Sequence, residues 1–392
     1  MQDVFVLAGM RTAIGDFGKS LKDIPPTQLG EIAIRAALAE SQVEASAVQH
    51  VVFGNVIHTE PRDAYISRVA AVASGIPVET PAMTVNRLCG SGLQAVISAA
   101  QAIMLGDADI AVGGGAESMS RGGYLLPAER WGARLGDGKV VDMVVGALQD
   151  PFGHGHMGVT AENVAARYDI SREAQDAFAV ESHRRASAAI AAGRFKSQIV
   201  PVSLPSRKGV VLFDTDEHVR DDVTLDALAG LKAAFKKDGT VTAGNASGLN
   251  DGAAAIVLMS GSELARRGAK PMARLVAYGH AGVDPEMMGL GPIPASRAAL
   301  KKAGLGIMDM DVIESNEAFA AQACAVARDL GFPPDKANPN GGAVALGHPI
   351  GASGAVIAIK ALHELQRING RYALVTMCIG GGQGIAAIFE RT

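Results

Sequence analysis

Cys89 stands in Asn86-Arg87-Leu88-Cys89-Gly90-Ser91-Gly92, between a short apolar run and a long segment of helix-forming Ala and Ile residues. A thiol at a helix N-terminus faces unpaired N–H groups and the positive end of the helix dipole, which lowers its pKa from about 8.5 and raises the thiolate fraction. The flanking glycines let a carbonyl come close, and the Cys89 amide can donate to a developing oxyanion. A buried Cys can also serve as a small hydrophobe, but this context favours a nucleophile. His348 lies in Gly347-His348-Pro349-Ile350-Gly351, where it could take the thiol proton or donate to an oxyanion. Cys378 follows the apolar run Leu374 to Thr376 and precedes Ile379-Gly380-Gly381-Gly382-Gln383-Gly384. The next residues, Ile385 to Phe389, read as a second strand and not a phosphate-binding helix, so a dinucleotide fingerprint fails here. A strand, glycine turn, strand unit would instead present N–H groups, Gly380 among them, beside a thiol. Asn316, in Glu314-Ser315-Asn316-Glu317, could orient a water or the imidazole, or cap a helix that begins near Glu317. Cys324 falls among Ala321, Gln322 and Ala323 and reads as packing. His154 and His156 lack an evident third ligand, so no metal site is expected.

These residues need elements to hold them, and the chain repeats its elements. Ile34 to Leu38 ends a helical pattern that leads to Val51-Val52-Phe53 and then Gly54-Asn55; Ser296 to Leu300 does the same before Val312-Ile313 and Glu314-Ser315-Asn316. Cys89 to Gly92, a helix from Leu93 to Leu105, the strand Ile110 to Val112 and the Gly113 triplet then match His348 to Gly354, a helix to about Leu365, the strand Ala373 to Thr376 and the Gly380 triplet. On this reading His348 corresponds to Cys89. Continuous apolar strands alternating with helices predict an α/β fold of two duplicated halves with buried sheets. The more charged and irregular stretch between the halves reads as an insertion, in which Ser171 to Ile190 is predicted helical and Asp214-Thr215-Asp216-Glu217 a solvated loop. The expected division is 1–118 plus 249–269 for the first half, 119–248 for the inserted loop domain and 270–392 for the second half.

Composition narrows the function classes. The 392 residues carry 36 Lys and Arg against 40 Asp and Glu, which gives no basic footprint for nucleic acid or an acidic membrane surface. Three cysteines make no disulfide framework and fit a reducing compartment. The first residues carry no positively charged region and soon meet Arg11, so no signal peptide is expected, and apolar runs are broken before they reach the ~18 residues of a membrane span. A cytoplasmic location is therefore expected. The 47 glycines exceed the usual ~7% and cluster where the chain must bend or approach something closely.

Cys89 in NRLCGSG, Asn316 in NEAF, His348 in GHP and Cys378 in CIGGGQG, in that order and in duplicated halves, closely resemble the thiolase family. The resemblance extends over essentially the whole chain, through Gly113 to Ser120 and Gly244 to Gly252. It implies a layered αβαβα fold and an acetyl-CoA C-acetyltransferase, or β-ketothiolase, that condenses two acyl-CoA molecules to a β-ketoacyl-CoA and reverses the reaction by thiolysis. By the same resemblance Cys89 carries the acyl group, His348 accepts its proton and Cys378 removes the α-proton of the second acetyl-CoA. His348 with a water on Asn316, and the amides of Cys89 and Gly380, are then the two oxyanion sites. The implied substrates are acetyl-CoA, acetoacetyl-CoA, other β-ketoacyl-CoA and CoA, with no further cofactor. The positions implied to contact CoA are Leu148, His156, Met157, Arg220, Phe235, Ala243 and Ser247, with Ala318 and Phe319 from the second half. The family resemblance also implies a homotetramer, with a tetramerisation segment near Ser120 to Asp142. Pro151-Phe152-Gly153-His154-Gly155, small and glycine-rich, is expected to widen the acyl pocket toward longer chains.

Three other readings compete. A carrier-protein-dependent β-ketoacyl synthase would not need Cys378, because decarboxylative condensation abstracts no α-proton. A hydrolase built on Cys89, His348 and Asn316 leaves Cys378 and the insertion without a task. A non-catalytic acyl-CoA carrier needs none of the three reactive side chains together.

Overall fold

The computed structural model describes residues 2–207 and 209–392, so that Met1, in the expected first half, and Lys208, in the expected insertion, lie outside the described residues. The chain runs through β1 (Val4–Thr12), α1 (Pro26–Ser41), β2 (His50–Gly54), β3 (Ala82–Val85), α2 (Ser91–Leu105) and β4 (Ile110–Ser118). An inserted segment with α3 (Met157–Tyr168) and α4 (Arg172–Ala191) follows, and β5 (Asn250–Ser260) comes after it. The second set is β6 (Ala273–Gly282), α5 (Pro292–Ala303), β7 (Val312–Ser315), α6 (Ala320–Leu330), α7 (Ser353–Ile368), β8 (Tyr372–Ile379) and β9 (Gln383–Arg391).

The two sets pair in the same way. β2 runs parallel to β4, β4 antiparallel to β5, and β5 antiparallel to β1; β7 runs parallel to β8, β8 antiparallel to β9, and β9 antiparallel to β6. Even the irregularities repeat, with a register shift between Val6 and Ala8 in β1 and between Leu275 and Ala277 in β6. The halves meet where Phe5 and Val6 of β1 pair with Arg274 and Ala273 of β6.

Helices cover both faces of each half, which is why β4 and β5 are buried at every position and read in sequence as unbroken small or apolar runs. α1 packs on one outer face through Leu29, Ile34 and Leu38, and α5 on the other through Ile293, Ala299 and Leu300. Between the first-half and second-half strands of the one continuous sheet lie α2 and α7, with Leu93, Ile97 and Ile103 in one core with Ile359 and Leu362. Each such side chain taken from water contributes roughly 1.5–3 kcal/mol. The architecture is the expected layered αβαβα arrangement of duplicated halves.

The starts of α2 and α7 touch backbone to backbone. A Cβ on Gly92 would come within 2.8 Å of the Ala355 nitrogen and 2.9 Å of the Ala352 oxygen, and one on Gly354 within 2.4 Å of the Leu93 nitrogen. Glycine at both crossings lets the two helix starts, and the loops that precede them, converge.

Three sequence-based expectations need correction. The Gly113 and Gly380 triplets are not equivalent: Gly113 to Gly115 lie inside β4, whereas Gly380 to Gly382 form the β8–β9 turn. The first triplet answers close packing, since Cβ atoms there would meet Val96 Cα at 2.6 Å, the Ala254 oxygen at 2.2 Å and the Gly351 oxygen at 2.1 Å. The insertion, from Met119 to Leu249, takes the place in the first half that this three-residue turn has in the second. His348 is not the counterpart of Cys89 either, because α2 begins two residues after Cys89 and α7 five residues after His348. Asp216 is no solvated residue: it is buried in a two-bond ion pair with Arg11 of β1, at 2.7 and 2.9 Å. Leu88–Leu105 has a mean hydropathy of 1.5, but Gly, Ser and Gln interrupt it as expected, and its helical part, α2, is packed in the core.

Candidate active site

The turn before α2 is built around a strained residue. Leu88 has φ +45°, a left-handed conformation that costs a branched side chain of order 1–2 kcal/mol. Asn86 Oδ1 accepts from the Leu88 N–H at 2.9 Å, while Ser91 Oγ accepts from the Arg87 N–H at 2.8 Å and donates to the Leu88 carbonyl at 2.6 Å. These bonds hold Cys89 at the mouth of the helix. Its thiol meets the Gly380 amide of the β8–β9 turn, which packs on the Cys89 loop with Ile379 against Gly90.

Burial pushes the Cys89 thiol up to about 11, and the N–H groups of Gly380 and Cys89 only partly offset this. The lowered pKa expected from the helix terminus is therefore not found: desolvation outweighs the two amide donors. Cys89 is thus a protonated thiol at neutral pH and requires a base to become a nucleophile. Cys378, buried at the end of β8, is raised above the ordinary thiol range by burial and by the proximity of Cys89. A thiolate formed there would be strongly basic.

His348 is buried, and burial alone holds its imidazole down to about 4, so the ring is neutral at pH 7. Its partners fix the tautomer. Ser353 Oγ donates to the Pro349 carbonyl at 2.8 Å and lies 2.7 Å from His348 Nδ1. With the hydroxyl proton thus committed, Nδ1 carries the ring proton and Nε2 keeps its lone pair. Asn316 Nδ2 donates to that Nε2 at 3.4 Å. The backbone N–H of His348 donates to Asn250 Oδ1 at 2.8 Å, and Gly347, at φ +100°, leaves room for the Asn250 side chain.

Asn316 follows β7, its N–H on the Thr376 carbonyl of β8 at 3.0 Å, which sets it beside the strand that ends in Cys378. It does not cap a helix, because α6 begins at Ala320 with Phe319 in the cap position. Its Oδ1 is buried without a protein partner. Cys324 is half-buried in α6 against the cluster that holds Met157 and Phe319.

Ile350, two residues after His348, packs with Ile57, Met119 and Val144 in the cluster that also receives Cys89 and Leu148. A second cluster joins Cys378 to Met157, Ala318 and Phe319, with Phe235 against it. His156 caps α3, accepting from the Gly158 N–H at Nδ1, and stacks on Phe235 at 4.7 Å; Phe235 meets Phe319 edge-on at 6.0 Å. The Ser247 N–H donates to the Ala318 carbonyl at 3.0 Å. Seven of the fourteen site residues named from the sequence thus lie in two apolar clusters, one at each thiol, and His156 stacks on the second. Arg220 and Ala243 stand farther out and exposed, Arg220 with its N–H on His183 Nδ1. Sequence reasoning assigned no role to Asn250, Ser353 or Glu117, although all three lie in or beside quoted motifs.

Comparison with known proteins accords with this geometry. The family model "Thiolase, N-terminal domain" matches residues 4–262 and "Thiolase, C-terminal domain" residues 269–391. The beta-ketothiolase BktB of Cupriavidus necator is 67% identical over 391 residues, covering 100% of this chain and 99% of the relative. An acetyl-CoA acetyltransferase of the same organism is 52% identical over the full length of both. Among solved structures, human mitochondrial 3-ketoacyl-CoA thiolase superposes with a TM-score of 0.98 at 45% identity, over 100% of this chain and 99% of that one.

Proposed function

The chain belongs to the thiolase family, and on that premise we propose that it is a β-ketothiolase, an acetyl-CoA C-acetyltransferase that interconverts two acyl-CoA molecules with a β-ketoacyl-CoA and CoA. The observation that carries the residue roles is the Cys89 thiol on the Gly380 amide and near enough to Cys378 to raise it, with a neutral buried imidazole whose Nε2 takes only a long 3.4 Å bond from Asn316.

In the condensing direction His348 Nε2 takes the Cys89 proton as the sulfur attacks the thioester carbonyl. The amides of Cys89 and Gly380 stabilise the tetrahedral oxyanion. The departing CoA thiolate takes the Cys378 proton, which leaves an acyl group on Cys89, an imidazolium at His348 and a thiolate at Cys378. That thiolate removes the α-proton of the second acetyl-CoA. The enolate oxygen faces the His348 Nε2–H and a water on Asn316, whose buried Oδ1 suits that task. The enolate carbon attacks the acyl carbon, the Cys89 sulfur leaves as a thiolate, and His348 returns its proton. Both thiols and the imidazole are thereby restored, and CoA has left as the free thiol.

Residues 119–248 serve as the loop domain that holds CoA. Met157, Phe235 and Phe319 wall the pantetheine arm, with Leu148, His156, Ala243, Ser247 and Ala318 beside it and Arg220 at the nucleotide end. Exposed Tyr124, Leu125, Leu126 and Trp131 support a homotetramer assembled through the Ser120 to Asp142 segment. Three free cysteines and the near-balanced charge support a cytoplasmic location, and the chemistry calls for no cofactor beyond the CoA substrates.

A broad acyl range follows from the segment 151–155. Phe152 is exposed and lies 3.9 Å from the Cβ position of Gly381, in the turn after Cys378, while Gly153 has no neighbour within 4 Å of its own. Cleavage of β-ketovaleryl-CoA far less efficient than that of acetoacetyl-CoA would contradict this breadth. The activity itself is tested by mixing acetoacetyl-CoA with free CoA and following the enolate absorbance. A fall that depends on both substrates is expected, and no fall with folded protein would favour a hydrolase or carrier.

A further inference from the structure

Glu117, at the end of β4, has no part in the proton and acyl transfers above, yet it is completely buried in the wall of the site. Its Oε1 accepts from Asn55 Nδ2 and the Ile57 N–H, both at 3.1 Å. Its Oε2 accepts from the Val56 N–H at 3.1 Å and the Gly351 N–H at 2.9 Å. Three of these donors follow β2 in the first half. The fourth, Gly351, lies in the second half, three residues after His348. The carboxylate therefore bridges the two halves at the point where their catalytic loops converge.

The surroundings leave this bridge no alternative. The Gly351 carbonyl would lie 2.1 Å from a Cβ on Gly115 and 2.7 Å from one on Gly54, and a Cβ on Gly351 would lie 2.6 Å from Glu117 Oε2. Gly351 is thus pressed between β2 and β4 by its oxygen and held on Glu117 by its nitrogen. Ile57, itself one of the donors, and Ile350, next to Gly351, belong to the apolar cluster that receives Cys89.

We propose that Glu117 is a positioning residue, whose carboxylate, shared between the Asn55 to Ile57 segment and the Gly351 amide, fixes the His348 loop of one half against the Cys89 loop of the other. Removing it leaves buried N–H groups on both sides without an acceptor, and the loops relieve this by moving apart. The inference rests on the thiolase reading for the importance of the His348 to Cys89 alignment. Burial pushes the Glu117 carboxyl up to about 8 against its N–H donors, and Asp63, in the turn before residues 66–73, raises it further, so its charge is fully present only above that pH, where it helps to raise the Cys89 thiol.

The test uses the full-length enzyme and two substitutions. Glu117→Gln keeps the shape, loses the charge and turns an NH2 toward N–H donors; Glu117→Asp keeps the charge but is too short to reach both loops. Both should lower kcat for thiolysis at least about tenfold with KM for CoA within about threefold, as expected when geometry at the reacting atoms is lost and ground-state binding is kept. Alkylation of Cys89 by iodoacetamide, followed by mass spectrometry, separates positioning from general damage and needs no thiolase turnover. Above about pH 8 Glu117→Gln should alkylate about threefold faster than wild type, because a nearby negative charge is gone, whereas Glu117→Asp should keep the wild-type pH profile. A kcat within twofold of wild type in either folded variant overturns the proposal, as does an unshifted Cys89 profile in Glu117→Gln. Should both variants fail to fold, hydrogen exchange in the wild type decides: the Val56, Ile57 and Gly351 amides should be protected, and fast exchange at Gly351 overturns the bridge. A wild type without thiolysis activity would count against the family reaction while leaving the alkylation result to judge Glu117.

Discussion

Ser353 Oγ lies 2.7 Å from His348 Nδ1 and spends its own proton on the Pro349 carbonyl, so it can only accept from the ring. A hydroxyl five residues along the chain thereby decides which imidazole nitrogen is basic. Ser353→Ala removes that acceptor and lets the ring take the other tautomer. We expect kcat to fall about tenfold with KM for CoA little changed, well short of the roughly 10²–10⁴-fold of a whole general-base contribution, because the base remains and only its tautomer is freed. Ser353→Thr, which keeps the hydroxyl, should retain most activity. Steady-state thiolysis of acetoacetyl-CoA checks both.

The pH dependence of acylation follows from the same burial. Because desolvation holds His348 down to about 4, the neutral base is present throughout pH 5 to 8 and is lost only as pH falls through about 4. Rapid-mixing measurements of Cys89 acylation by acetyl-CoA should be flat across that range. Half-maximal acylation near pH 6.5 would mean an imidazole in a solvated setting.

The Arg11–Asp216 pair joins the first strand to the insertion just before Arg220. Both side chains are fully buried, and the Ile14 N–H and Gln198 Oε1 complete their bonds. Asp216→Ala strands a buried guanidinium and should destabilise the protein by about 3–5 kcal/mol in denaturant unfolding. The double substitution Arg11→Met/Asp216→Leu, with no charge left to strand, should recover most of this loss. If Asp216→Ala costs nothing, the insertion is anchored elsewhere.

Much of the architecture is legible in the sequence because it rests on local patterns. The unbroken apolar runs of β4 and β5 and the helix after Cys89 require only that both faces of a strand or one helix be buried. The corrected points depend on partners far away in the chain. Nothing near Asp216 in sequence reveals Arg11 as its partner, and Asp-Thr-Asp-Glu has the composition of a solvated loop. Gly113 to Gly115 look like a turn, yet they are glycines because three other backbones cross β4. At Cys89 the helix terminus is a local feature, whereas the burial that raises the thiol comes from distant parts of the chain. The sequence around Glu117 does not reveal its place in the fold, since its four donors come from residues 55–57 and 351.

The reading of Gly115 as a crossing point is directly testable. Gly115→Ala would place a methyl group 2.1 Å from the Gly351 carbonyl, a backbone atom that cannot rotate away. We expect a loss of about 1–3 kcal/mol or more in denaturant unfolding, as for other overpacked cores, together with loss of thiolysis. Gly138→Ala, where a Cβ meets nothing within 4 Å, should be nearly neutral. Equal effects at the two sites would contradict the close-packing explanation.

The division of labour between the two thiols is tested most directly by intact-protein mass spectrometry of Cys89→Ser and Cys378→Ser after incubation with acetyl-CoA alone. If Cys89 carries the acyl group and Cys378 moves the α-proton, Cys378→Ser accumulates one acetyl group, on Cys89, and forms no acetoacetyl-CoA, while Cys89→Ser remains unacetylated. Full condensation or thiolysis by Cys378→Ser, or a stable acetyl group on Cys378 in Cys89→Ser, would contradict the assignment.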